Sequence, residues 1–255
     1  MNKSILAFFA HPDDAEILCA GTLSLLQKAG YNIHIATIAA GDKGTASHSR
    51  EEIIRIRRTE AIKAAGIIGG SFHCLELEDV FIFYQRESIE KASVLVRNIQ
   101  PEIVFTHSPD DYMVDHEMTS KILQTACFTA GMKNLLIPEK PFGPVPYLYY
   151  TDAVESKDKL GRRIDLSIWV DISSAIDTKE KMLAAHASQR DWLMAHHKVD
   201  EYLMAMKSVA RSRGEESGFK YAEGFRQHLG HGFPQENILL EILGKETVKS
   251  INQIK

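Results

Sequence analysis

Along the first half of the chain the spacing of apolar residues switches repeatedly between the strand and helix periods. Ser4–Phe9 is a short unbroken apolar run, as expected of a strand buried on both faces. Glu16–Ala29 follows, with Leu18, Leu25 and Leu26 on one side of a helix. Asn32–Ala39 predicts a second strand, Arg50–Ile68 a second helix and Phe72–Leu77 a third strand. Ser88–Asn98 reads as helix, Ile103–Thr106 as the fourth strand and Glu117–Ala130 as the next helix. This alternation implies a Rossmann-like α/β fold, a mostly parallel sheet flanked by helices. Gly41-Asp42-Lys43-Gly44 and Pro101 punctuate it.

The second half is less regular. Pro138 to Pro146 is a Pro-rich connection, and Tyr147–Asp152 and Ser167–Asp171 predict strands that continue the sheet. Ile176 to about Arg211 reads as mostly helical, with Trp192, His196, Val199, Leu203 and Met206 at helical steps. Arg213–Gly218 reads as a polar loop, and Tyr221–Gly232 as a Gly-bearing loop that would cover a crevice. No repeat or domain boundary is evident. The expectation is one domain over residues 1–255 with a C-terminal elaboration.

Composition narrows the partners. The chain has 255 residues and a formal net charge of -4, with no basic block to neutralise a run of phosphates, which argues against nucleic acid. No apolar stretch approaches the ~20 residues that span a bilayer. Met1–Ala10 is too short, and too soon interrupted by His11 and Asp13, to read as a signal peptide. Cys19, Cys74 and Cys127 are scattered, which fits small buried residues in a reducing cytoplasm.

Candidate chemistry concentrates where the first strand ends. Ala10-His11-Pro12-Asp13-Asp14-Ala15-Glu16 sets an imidazole and two carboxylates in one loop. Ligands of an open parallel sheet bind beyond the carboxyl ends of its strands, where the strand order reverses. With the order 3-2-1-4, that crevice lies between strands one and four. The loop after strand four, His107 to His116, would open onto it with a further imidazole. The plainer readings are that Asp13 or Asp14 caps the first helix, and that His116 sits in an ordinary first helical turn.

His-Pro-Asp-Asp-Ala-Glu after strand one, with Asp115-His116 opening the fourth helix, resembles the LmbE/PIG-L family of zinc-dependent N-acetylglucosaminide deacetylases. The Gly41–Gly44 turn and Arg57-Arg58-Thr59-Glu60 are similar to the family too. The resemblance implies that His11, Asp14 and His116 hold the metal and that Asp13 is the general base. It also implies removal of an acetyl group from an N-acetylated amino sugar or its conjugate, and a homo-oligomer such as a trimer or hexamer. A catalytic zinc keeps three protein ligands and an open position for water, and the same donor set also suits ferrous iron. Asp115 joins Asp13 as a catalytic candidate, a carboxylate placed to orient an imidazole.

Two residues are candidates for substrate binding. Arg57 projects into the middle of the apolar stripe of the second helix formed by Ile53, Ile54, Ala61, Ala64, Ala65 and Ile68. A cation there needs a partner: the substrate, as the resemblance implies, or a buried salt bridge to Asp42 or Asp79. Asp79 aligns with a family position that binds sugar hydroxyls.

The chain departs from the family at one point. The second motif usually reads His-Pro-Asp-His, whereas here it reads Met113-Val114-Asp115-His116. The lost histidine is the family's proposed electrophile and acid, and a thioether does neither job. His107, Tyr112, His228 or His231 would take its place, or Asp13 would act as both base and acid. Otherwise the chain is a metal-holding member with weak or different amide-hydrolase activity. A dinucleotide-binding protein is excluded by the want of Gly-x-Gly-x-x-Gly after strand one.

Overall fold

The computed structural model describes residues 3–189 and 201–251. Its elements are β1 (Ser4–Phe9), α1 (Asp14–Leu18), α2 (Ala20–Lys28), β2 (Asn32–Ala39), α3 (Arg50–Ile67), β3 (Ser71–Leu77), α4 (Arg86–Ile99) and β4 (Ile103–Thr106). They continue with α5 (Val114–Thr129), β5 (Tyr147–Thr151), β6 (Ile168–Asp171), α6 (Ile176–Leu183), α7 (Glu201–Ser217), β7 (Ala222–Gln227), α8 (Ile238–Leu243) and β8 (Val248–Ser250).

One eight-stranded sheet runs through the molecule in the order β3-β2-β1-β4-β5-β7-β6-β8. β1 to β5 pair in parallel, and β7 inserts antiparallel between β5 and β6. The α/β fold read from the sequence is present, and the order reverses between β1 and β4 as expected. β1 is central because all six of its residues are buried. Such a strand must be covered on both faces. One face packs Ile5, Ala7 and Phe9 against Leu23 and Leu26 of α2 and Met182 of α6. The other packs Leu6 and Phe8 with Val96 of α4 and Ile122 and Leu123 of α5.

Local chemistry explains the element ends and the departures from expectation. α3 begins at a capping box, in which the Ser49 side chain accepts from the Glu52 amide and Glu52 accepts from the Ser49 amide. The first predicted helix is two: the chain breaks at Cys19 (φ -145°, ψ 8°), so that α1 carries Asp14 and α2 packs on the sheet. The long predicted helix from Ile176 is also interrupted, since α6 ends at Leu183 and residues 184–186 are not helical. Trp192, His196 and Val199 lie outside the described residues.

Arg213–Gly218 is not a loop. Its first five residues complete α7, and the stop is Gly218 at φ +72°, a left-handed geometry that suits glycine. Gly214 lies inside the helix because a Cβ there would meet the Lys220 backbone at 2.8 Å. Tyr221–Gly232 is not mainly a covering loop either. Its polar, glycine-rich look hides the interior strand β7, where Gly224 leaves room for Leu166, whose Cδ1 would lie 2.1 Å from an added Cβ.

Candidate metal and active site

The loop after β1 delivers its side chains by an unusual backbone turn. Asp13 has φ 109°, a left-handed geometry that costs a non-glycine residue of order 1–3 kcal/mol. Asp13 makes no side-chain capping bond to α1, which removes the simple capping reading. Its carboxylate instead accepts a 2.5 Å hydrogen bond from the Tyr202 hydroxyl of α7. Asp14 turns the other way, and its Oδ2 accepts from the His11 amide at 2.7 Å.

β4 and α5 bring the second imidazole to this loop. The ligand atoms of His11, Asp14 and His116 lie within 4.8 Å of one another. His11 Nδ1 is 3.6 Å from Asp14 Oδ2, and His116 Nε2 is 3.6 Å from Asp14 Oδ1. Tetrahedral zinc with bonds of about 2.0–2.1 Å would space its ligands by about 3.4 Å. The far nitrogen of each imidazole is held by a carboxylate: Asp115 lies 3.1 Å from His11 Nε2, and Asp111 3.0 Å from His116 Nδ1. Carboxylates in this position fix the tautomer of a metal-binding histidine and raise its basicity. The donor set and its supports therefore fit a divalent cation.

The electrostatics agree. Burial opposes charge on His11, but hydrogen bonds with Asp115 and Asp14 outweigh it and push its pKa up to about 10. Carboxylates that hold a proton on an imidazole so firmly mark a site short of positive charge. Burial and then the Asp14 charge raise Asp13 to about 6, against the opposing pull of His186, Tyr202 and Arg57. For Asp14 burial also works upward, but His116 and His107 prevail and hold it well below the usual carboxylate range. Adjacent aspartates are thus driven apart in proton affinity.

A second cluster, His107 with Asp111 and His116, has the same spacing. It lies behind the first. His107 is fully buried, stacks on His116 with ring centroids 3.8 Å apart, and has Nε2 3.1 Å from Asp14 Oδ2. Burial lowers its pKa to about 4, and the same Nε2 accepts from the Ala10 amide at 3.0 Å. His107 does not line the cavity above the strand ends, whereas His11, Asp13, Asp14 and His116 do.

That cavity, about 780 Å³, spans the sheet edge from the β2–β3 side to the β5–β7 side. Arg57, Asp79, Tyr112 and Met113 also line it. Arg57 is 4% exposed and forms no salt bridge with Asp42 or Asp79. Its guanidinium donates to the Gly44 carbonyl at 2.7 Å and to the Gln189 side chain, and its Nε has no partner among the described residues. Asp79 ties the Gly41–Gly44 turn instead, accepting from the Gly41 and Lys43 amides at 3.0 and 3.1 Å.

Asp115 accepts from the Val80 amide at 2.7 Å as well as meeting His11. Val80 adopts φ +74°, rare for a β-branched residue, and that geometry delivers its N–H. Burial would raise Asp115, but the bonds from His11 and Val80 hold it low and ionised. Of the four residues expected to replace the missing histidine, Tyr112 alone lines the cavity. His228 sits beside Leu148 and accepts or donates at Tyr150 Oη, away from the cavity lining. Asp111 and Tyr202 were not singled out from sequence. Asp111 lay in the His107–His116 loop without a distinguishing mark, and Tyr202 is separated from Asp13 by 189 residues.

Fold and site together define an open α/β protein with a His-Asp-His cluster at its topological switch point. Within that class, residues 6–127 match the PIG-L family, described as GlcNAc-PI de-N-acetylase, and this segment is a PIG-L domain. The 4-oxalmesaconate hydratase of Pseudomonas putida is 26% identical over 195 residues, covering 73% of this chain and 74% of that protein. The diacetylchitobiose deacetylase of Thermococcus kodakarensis is 26% identical over 238 residues, covering 88% and 82%. The solved N,N'-diacetylchitobiose deacetylase from Pyrococcus horikoshii superposes with a TM-score of 0.77 at 25% identity, covering 92% of this chain and 88% of that one.

Proposed function

We propose that this chain is a metal-dependent N-deacetylase that releases acetate from an N-acetylated amino sugar or sugar conjugate. The observation that carries the reading is the meeting of His11, Asp14 and His116 around one point while Asp13 stays free of that set. These three would hold the cation, zinc by donor type with ferrous iron as the alternative. When bound, the ion supplies Lewis acidity to the amide carbonyl and acidity to the attacking water.

The chain's own groups do the rest. Asp13 accepts the proton of water as its oxygen adds to the carbonyl carbon. It then returns that proton to the amide nitrogen as the C–N bond breaks, giving acetate and an amine. Asp115 orients His11. Arg57 and Asp79 face the cavity as donors and acceptors for sugar hydroxyls. Tyr112, packed edge-on against His116, takes the donor role that Met113 cannot fill. A homo-oligomer is part of the reading, and the exposed Val80, Phe81, Phe83 and Tyr84 are the surface it would use.

The test is acetate release from N-acetylglucosamine derivatives by the zinc- and iron-loaded protein. Asp13→Asn should retain the metal and lose about 10²–10⁴-fold in kcat. Full turnover by that variant, or by chelated protein, would overturn the mechanism. A second reading is hydration of a carbon–carbon double bond. The hydratase relative favours it, as does Met113, because a hydration has no leaving amine to protonate. Water addition to an unsaturated carboxylate, with no acetate release from any sugar derivative, would select it.

A further inference from the structure

The cavity is much longer than the metal cluster, and its two ends differ in chemistry. The end beside β2 and β3 is polar, with Lys43, Arg57 and Asp79. The end beyond Asp13 is walled by Ile17, Val154, Ala205, Met206 and Val209. Ala205 is exposed, while Ile17, Val154 and Val209 are half-buried, so this wall turns apolar surface toward the space. Positions 202, 206, 209 and 213 of α7 recur at helical spacing along it, so one helix face builds it.

The cations at this end are already neutralised. Lys179 pairs with Glu223 at 2.5 Å, and Arg213 with Asp152 at 2.7 Å, both deeply buried. They leave no unbalanced positive charge to call for an anionic group. An uncharged, flexible apolar group is what such a wall stabilises, because covering it removes hydrocarbon from water.

We propose that this chamber receives the acyl side of the scissile amide and that the enzyme cleaves N-acyl groups longer than acetyl. The inference rests on the deacylase reading above. With the carbonyl at the cluster and the sugar toward Arg57 and Asp79, the acyl chain must leave on the opposite side, past Asp13 and along α7. The bond change is the same hydrolysis: the C–N bond breaks, the hydroxyl of water goes to the acyl carbon, and its proton goes to the amine. The products are a longer carboxylic acid and the free amino sugar. All of the wall except Ile17 lies outside residues 6–127, so this specificity belongs to the C-terminal half.

The experiment compares methyl glucosaminides carrying N-acetyl, N-butanoyl and N-hexanoyl groups, using the metal-loaded full chain. Each buried methylene is worth roughly fourfold, so kcat/KM should rise with chain length. Ala205→Trp should lower the hexanoyl-to-acetyl ratio of kcat/KM by about tenfold or more. Met204→Trp, on the exposed side of the same helix, should leave that ratio unchanged and shows that added bulk alone is harmless. Acetyl turnover with refusal of longer chains, or an unchanged ratio in Ala205→Trp, overturns the chamber and leaves the deacylase standing. Failure to cleave any of the three sugars overturns both.

Discussion

Arg57 shows how a single buried side chain shapes its neighbours. The Gly41–Gly44 turn wraps it so closely that a Cβ on Gly41 would lie 2.6 Å from its Cδ, and one on Gly44 2.5 Å from its Nη2. Gly41 also sits at φ +75°, so Gly41→Ala meets strain and contact together. That variant should lose about 1–2 kcal/mol of stability in urea unfolding and raise KM for the sugar. A different pair reports on pH. His34 Nδ1 lies 3.1 Å from His73 Nε2, and burial lowers both below the ordinary 6.5, helped for His34 by the His73 charge. The unfolded chain therefore takes up protons first. The stability these rings contribute is complete above about 6.5 and is lost as pH falls through their folded values. His73→Phe should flatten the fall of the urea midpoint between pH 6.5 and 5. An unaltered slope would assign that pH dependence elsewhere.

The joints between helices and strands depend on buried polar contacts. Glu223 of β7 accepts from the Gly21 and Thr22 amides at the start of α2, at 2.9 and 2.7 Å, and from Lys179 of α6. One carboxylate thus serves the free N–H groups of a helix end and neutralises a buried ammonium. Glu223→Ala should cost about 3–5 kcal/mol, because Lys179 would stay buried without its partner. Denaturant unfolding checks this, and Glu223→Gln should recover part of the loss by keeping the amide contacts. Buried Arg97 of α4 does comparable work on the far face, donating to the carbonyls of Ala130, Met132, Leu135 and Glu139 just after α5. Neither role was legible beforehand. Glu223 stands in a run of polar and glycine residues that resembles a loop, and its partners are more than 40 residues away in sequence.

Cation binding at the proposed site would be linked to folding across the molecule as a whole, since the His11–Asp14–His116 cluster exists only when β1 and β4 lie side by side. A cation at 100 times its Kd would stabilise the fold by about 2.7 kcal/mol, so chelation should lower Tm by several degrees. His116→Ala should make Tm insensitive to the chelator, and calorimetry with and without zinc measures both. The sequence by itself determined the strands of the parallel half almost residue for residue, because β1 and β4 are unbroken apolar runs buried on both faces and β2 and β3 are short, largely apolar segments bounded by polar turns. It also picked out His11, Asp14 and His116 as candidate ligands, through the reactive groups gathered in the His-Pro-Asp-Asp loop and the resemblance they carry, and their donor atoms lie within 4.8 Å of one another. Tertiary structure decided the placement of β7, the break between α1 and α2, and the partners of Asp13, His116 and Arg57. Those depend on contacts between distant segments, where a polar or glycine-rich residue is acceptable in the interior only because something far along the chain completes it.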